Sequence, residues 1–227
     1  MPHSFAHEVG YTFRPTGQSV FSEQNVSNVQ ERSRTRRQRL LDAALEVFTE
    51  HGYSDTAIDE IARASDTSKG GVYFHFPSKQ ALFLALLDEA SVVLLQRVEL
   101  AMARESDPLQ RGDAALREVL HAFGSHRLLA HLLLVDALGA GKEFAAKLND
   151  LHAAFAGLIA DCLDEAVIKG QIPPLDTRVA AHAWYGAVNH VVLRWLMTGE
   201  PQNLDETYPA LRSLLLYGVS GSCDRRP

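Results

Sequence analysis

From Glu31 onward, apolar positions recur at intervals of three and four, Pro and Gly fall mostly between the periodic stretches, and runs of alternating β-branched residues are absent. This pattern predicts helices. The first spans about 34–51, with Leu40, Leu41, Ala44, Leu45, Val47 and Phe48 on its apolar side and Gly52 as its stop. A short second helix follows, with Thr56 as N-cap, Asp59 in the reciprocal capping position, and Ile58, Ile61 and Ala62 facing inward. Ser65-Asp66-Thr67 reads as a turn before a short third helix over about 68–74. Pro77-Ser78 breaks the chain, and Ser78 caps a long fourth helix over about 79–104. Asp107-Pro108 opens a fifth, with Pro at the first helical position. A sixth over 127–138, a seventh over 142–169, an eighth over 176–197 and a ninth over 204–217 complete the series. Pro209 makes the ninth start late or kink.

Residues 1–30 are polar without helical period and read as a flexible arm, and 222–227 read as a tail. The expected fold is all-α: a three-helix module over 31–79, then a larger helical domain over 80–221.

Composition alters this picture little: 46% hydrophobic residues suffice for a packed core. Cys162 and Cys223 fit no metal or redox spacing, and two cysteines in a chain of this length point to a reducing compartment. No apolar run is long enough to span a membrane, and the first 30 residues lack the apolar core of a signal peptide, so a cytoplasmic protein is expected.

Charge matters more. The net charge of −6 leans away from nucleic acid. Its distribution does not: residues 31–79 carry eight basic and eight acidic side chains, whereas 80–227 carry thirteen and eighteen. Five arginines lie between Arg32 and Arg39 with no acid among them. Alone, that run is as readily a solvated face as anything else.

Two short helices joined by a tight turn and packed on a preceding helix make a helix-turn-helix module. Gly70 and Gly71 let the third helix approach DNA closely. Lys69, Tyr73, His75 and Lys79 offer donors and charge to phosphates and base edges. The segments Thr56-Ala-Ile-Asp-Glu-Ile-Ala-Arg and Ser68-Lys-Gly-Gly-Val-Tyr-Phe-His-Phe-Pro-Ser-Lys79 closely resemble the DNA-binding domain of TetR/AcrR-family transcriptional regulators, over about residues 36–83. The departure is in the turn, where Asp66 stands in place of the family's Gly, at a backbone position suggested to be left-handed.

The resemblance implies the following roles. Thr56 touches phosphate. Ser68, Lys69, Gly70 and Gly71 lie in the major groove. Tyr73, His75 and Lys79 contact backbone phosphates. Val72 and Phe76 are core, and Phe74 meets a thymine methyl or packs. Placed before such a module, the arginine run, with Arg36 and Arg37 in it, lies along the DNA backbone or a minor groove.

The resemblance also implies a homodimer through the last two helices, a double-stranded DNA operator with two half-sites, and a small-molecule effector. Trp184, Tyr185, Val188, Val192, Trp195 and Leu196 form an apolar stripe on the eighth helix, with Ala180, Ala181, Ala183, Gly186 and Ala187 as small faces. The last helix is apolar on more than one side. Intrachain core is the competing role for both. For the effector, Phe123, Leu128, Leu132, Phe144, Leu151, Phe155, Trp184 and Tyr185 are candidates to line an apolar cavity, each singly more readily core.

His121, His126, His131, His152, His182 and His190 lack ligand spacing, even with Asp136, so neither metal nor cofactor is expected. An enzyme is not expected either. Gly139-Ala-Gly-Lys142 lacks the hydroxyl residue and first glycine of a phosphate loop, and no nucleophile elbow or H-E-x-x-H occurs. The expectation is a ligand-released repressor of a palindromic operator. A helical protein-interaction module without specific DNA binding is the alternative.

Overall fold

A computed structural model describes residues 23–136 and 142–218, all of whose regular elements are helical. They are α1 (Glu23–Asp55), α2 (Ile58–Ala64), α3 (Lys69–His75), α4 (Lys79–Met102), α5 (Pro108–Ser125), α6 (Arg127–His131), α7 (Lys142–Ile168), α8 (Thr177–Thr198) and α9 (Tyr208–Arg212). A π turn (Leu132–Asp136) extends α6, a 3₁₀ turn (Leu204–Thr207) precedes α9, and a second π turn (Ser213–Tyr217) follows it. The chain divides into two compact units. One holds the chain up to His51 with Asp55–Leu86; the other holds Gly52–Ser54 and the chain from Leu87 onward.

Several expectations shift. The first helix begins at Glu23, not near Arg34, so residues 23–30 of the expected arm are helical; residues 1–22 and the expected tail lie outside the described residues. Nothing between Glu23 and Gly52 breaks a helix, and Glu, Gln and Arg favour one without an apolar period. Gly52, at φ 79°, interrupts α1. The N-cap of α2 is Ala57, one residue later than Thr56, and Glu60 rather than Asp59 reaches back to the Ala57 N–H at 2.9 Å. The ninth helix resolves as the late start that Pro209 allowed, with Pro in the first turn of α9. The sixth leaves α geometry at Leu132. Its expected end at Gly139-Ala140-Gly141 is outside the described residues.

In the first unit Leu40, Leu41, Ala44, Val47 and Phe48 of α1 are buried with Ile58, Ile61, Ala62, Val72 and Phe76. Phe48 meets Phe83 of α4 edge-on at 5.1 Å. Other helix starts follow the sequence: Ser78 accepts from the Ala81 N–H (3.0 Å), Asp107 from that of Gln110 (3.0 Å), and Asp176 from that of Val179 (3.1 Å).

The turn between α2 and α3 is a Schellman motif. The Thr67 N–H donates to the Ala62 carbonyl at 2.9 Å and the Asp66 N–H to that of Arg63 at 3.2 Å, with Asp66 at φ 51°. The same pair of bonds closes α7, where Gly170 holds the left-handed position at φ 68°. An L-residue there pays roughly 1 kcal/mol that glycine does not. Asp66→Gly is therefore expected to raise the unfolding free energy by about 0.5–1 kcal/mol, glycine's unfolded-state entropy offsetting part of the gain. Paired urea titrations check this, and a loss of stability would show that the Asp66 carboxylate contributes more than its backbone costs.

Candidate nucleic-acid interface and ligand cavity

Ser68 is the N-cap of α3, its Oγ accepting from the Gly71 N–H at 3.1 Å. Helix α3 has two turns. Val72 is fully buried and Phe76, just beyond it, almost so, while Lys69, Gly70, Tyr73 and Phe74 face outward. Gly71 is dictated by space, because a Cβ there would stand 2.5 Å from Thr67 Oγ1. Phe74 is 83% exposed and meets the His75 ring edge-on at 5.1 Å, so it does not pack in the core. Arg36 and Arg37 are exposed on α1, and the Arg37 guanidinium lies 5.1 Å from the centre of the Phe76 ring.

Three of the expected DNA contacts have intramolecular duties. Thr56 is 3% exposed and donates its hydroxyl to the Val47 carbonyl at 3.4 Å, so its side chain ties α2's entry to α1 and is not presented to phosphate. Lys79 is half-buried, its ammonium donating to the Thr56 carbonyl at 3.0 Å. Lys69 pairs with Asp59 of α2 at 2.8 Å across an exposed surface, and that carboxylate raises the lysine's pKa by hydrogen bonding and charge. Sequence spacing did not reveal the pair, since ten positions and a turn separate its members.

In the second unit an apolar cavity of about 70 Å³ is walled by α5, α7 and α8, with Val98 of α4, Leu134 of the first π turn, and Leu215 and Leu216 of the second. Of the eight residues expected to line it, Phe123, Leu151, Phe155, Trp184 and Tyr185 do. Leu132 and Phe144 do not: both are fully buried elsewhere, and Phe144 takes the Tyr53 ring edge-on at 5.4 Å. Alternating burial along α6 and α7 turns them into the packed interior. The side chain of Leu128 is outside the described residues.

Missed by the sequence reading were Asp113 and Asn189, both on the wall. Asp113 is 7% exposed and accepts from the Tyr208 hydroxyl at 2.7 Å and the Arg212 Nε at 3.1 Å, joining α5 to α9. Arg212 sits higher in pKa through its contacts with Tyr217 and Asp113. Tyr185 stacks on Phe155 at 6.4 Å and leans on His152 at 4.8 Å, and burial pushes its phenol up and the His152 imidazole toward its neutral form.

Trp184, Val192, Trp195 and Leu196 of the α8 stripe are buried within the chain. The opposite face, Val179, Ala183, Gly186, His190 and Met197, is exposed at spacings of three, four and seven, and Leu214 and Tyr217 near the C-terminal end are exposed as well. Among the described residues no three His, Cys, Asp or Glu converge on a metal-sized site, and no helix is long and apolar enough to cross a membrane. Asp136 and Cys223 are outside that search.

Residues 40–86 match the model of the bacterial regulatory proteins of the tetR family. The chain is 30% identical over 186 residues to the HTH-type transcriptional regulator AcrR of Shigella flexneri, covering 74% of this chain and 81% of that one. Its fold is similar to that of the transcriptional regulator FadR from Bacillus subtilis in complex with stearoyl-CoA, with a TM-score of 0.74 and 21% identity over 80% of this chain and 98% of that one. It is also similar to AibR in complex with isovaleryl coenzyme A and operator DNA, with a TM-score of 0.65 and 19% identity over 80% and 98%.

Proposed function

The chain belongs to the TetR family of bacterial regulatory proteins, which are DNA-binding transcriptional regulators and not enzymes, and from that premise we propose that it is a homodimeric repressor of a palindromic operator, released by a small apolar or amphipathic ligand. The observation that carries this reading is α3: two turns long, capped by Ser68, and presenting Lys69, Gly70, Tyr73 and Phe74 outward from a buried Val72. Two copies reach successive major grooves, about 34–36 Å apart. Lys79 and the exposed arginines of α1 hold the backbone on either side. A regulator of this kind acts where the bacterial chromosome is, in the cytoplasm. The second copy is held by the exposed face of α8 with Leu214 and Tyr217.

The ligand enters the cavity of the second unit. At about 70 Å³ this cavity is well below the roughly 300–1,000 Å³ of a typical ligand site. An occupant of several carbons must therefore part the helices around it, which makes its affinity differ between two conformations. Helix α4 carries the change, because Leu82 and Phe83 near its start are buried in the first unit and Val98 near its end walls the cavity. A hundredfold drop in operator affinity requires a preference of about 2.7 kcal/mol for one state. The acyl-CoA ligands named with the FadR and AibR structures support an acyl chain as the first class to try.

Selection from random duplexes at low salt tests the reading and is expected to return a palindrome; failure to enrich one would favour the protein-interaction alternative. On the selected operator, Lys79→Ala is expected to lower the slope of log affinity against log salt by about two, one phosphate per subunit. An unchanged slope would mean that Lys79 stays on the Thr56 carbonyl and off the DNA.

A further inference from the structure

The polar groups of the cavity wall are few. Asp113, the Trp184 indole, Tyr185 and Asn189 are the only lining side chains with a hydrogen-bonding atom, and no Lys, Arg or His lines it among the described residues. Asp113 is already committed: two donors from the C-terminal end, the Tyr208 hydroxyl and the Arg212 guanidinium, converge on its carboxylate. Arg212 is thereby occupied too, and donates as well to the Tyr217 hydroxyl at 3.3 Å. His152, whose ring lies 4.8 Å from that of Tyr185, is held toward its neutral form by burial.

Tyr185 and Asn189 differ from Asp113. No hydrogen bond to the Tyr185 hydroxyl or the Asn189 amide is formed by any described residue, and burial is the sole influence on the Tyr185 phenol. Four positions apart on α8, they share a face one helical turn apart, within reach of a single polar group. Both residues are half-buried, so a ligand group that hydrogen-bonds to them takes the place of water and must match its hydrogen bonds.

Resting on the reading of this cavity as the effector site, we infer that Tyr185 and Asn189 together recognise an uncharged polar group on the ligand, an ester or thioester carbonyl or a hydroxyl, and that the cavity rejects the corresponding free carboxylate. A carboxylate would lose its hydration with no cation on the wall to replace it, the Arg212 guanidinium being already held by Asp113. A carbonyl needs only the two donors that Tyr185 and Asn189 offer.

The test uses the full-length protein at pH 8 and three probes followed by calorimetry: toluene, methyl hexanoate and hexanoate. Toluene has no hydrogen-bonding group and reports on the cavity alone. Methyl hexanoate is expected to bind at least about tenfold more tightly than hexanoate. The double variant Tyr185→Phe, Asn189→Leu, which keeps shape and stacking, is expected to weaken the ester by about tenfold, from two neutral hydrogen bonds, and to leave toluene within about twofold. Hexanoate binding as tightly as the ester, or an ester affinity unchanged in the double variant, overturns the inference while the cavity, still binding toluene, stands. Binding of neither toluene nor the ester overturns the cavity reading itself, and the inference with it.

Discussion

Phe144→Ala is expected to lower the unfolding free energy by about 3–5 kcal/mol, the range for a buried aromatic truncated in a packed interior. Phe144 stands in the first turn of α7 with no exposed surface, and the Tyr53 ring rests on it edge-on at 5.4 Å. The loss combines the transfer of a large apolar side chain with the void left among neighbours that cannot close fully. Urea unfolding of the full-length chain followed by circular dichroism checks it. A loss below about 1 kcal/mol would show that the start of α7 collapses freely onto the site, which packed interiors seldom allow. The prediction separates Phe144 from Phe155, which resembles it in sequence context but walls the cavity, where truncation enlarges a space that exists already.

Gly186→Arg is expected to leave the subunit folded and to abolish the dimer. A Cβ at Gly186 meets nothing within 4 Å, and replacing a mid-helix glycine favours α8 by up to about 1 kcal/mol. In the proposed homodimer, however, two guanidinium groups would be driven into the interface without partners, at a cost of several kcal/mol. Sedimentation at micromolar concentration is expected to give monomers. Operator affinity is expected to fall by at least about a hundredfold, because one reading head finds one half-site only. A dimer that survives dilution to nanomolar concentration would place the partner on another face.

Much of this architecture was legible in the chain because helix signals are local. Ser78, Asp107 and Asp176 cap the helices they precede, Gly199 ends α8 at φ 75°, and the left-handed turn at Asp66 falls where the resemblance to the family, which carries Gly there, implied one. What the sequence concealed depends on which side of a helix its neighbours occupy. Leu132 and Phe144 are as apolar as Phe155, yet only Phe155 reaches the cavity, and no period along the chain distinguishes a wall from a core. Asp113 reads as a surface acid on α5 until Tyr208 and Arg212, nearly a hundred positions later, are brought onto it. Thr56 shows the converse: its motif suggested phosphate, and the fold buries its side chain, which donates to the Val47 carbonyl.

The Asp113 tie has a consequence for how effector and oligomer report on each other. The carboxylate that forms part of the cavity wall is gripped by Tyr208 and Arg212, and Arg212 also holds Tyr217 on the exposed C-terminal surface. Any occupant that displaces α5 therefore works against the same side chains that a second copy would brace. Linkage is reciprocal, so whatever factor the occupant imposes on self-association, self-association imposes on the occupant. In the proposed ligand-released homodimer, mass action would make the apparent affinity for effector a function of protein concentration, and the abundance of the protein would set the ligand level at which it releases its operator.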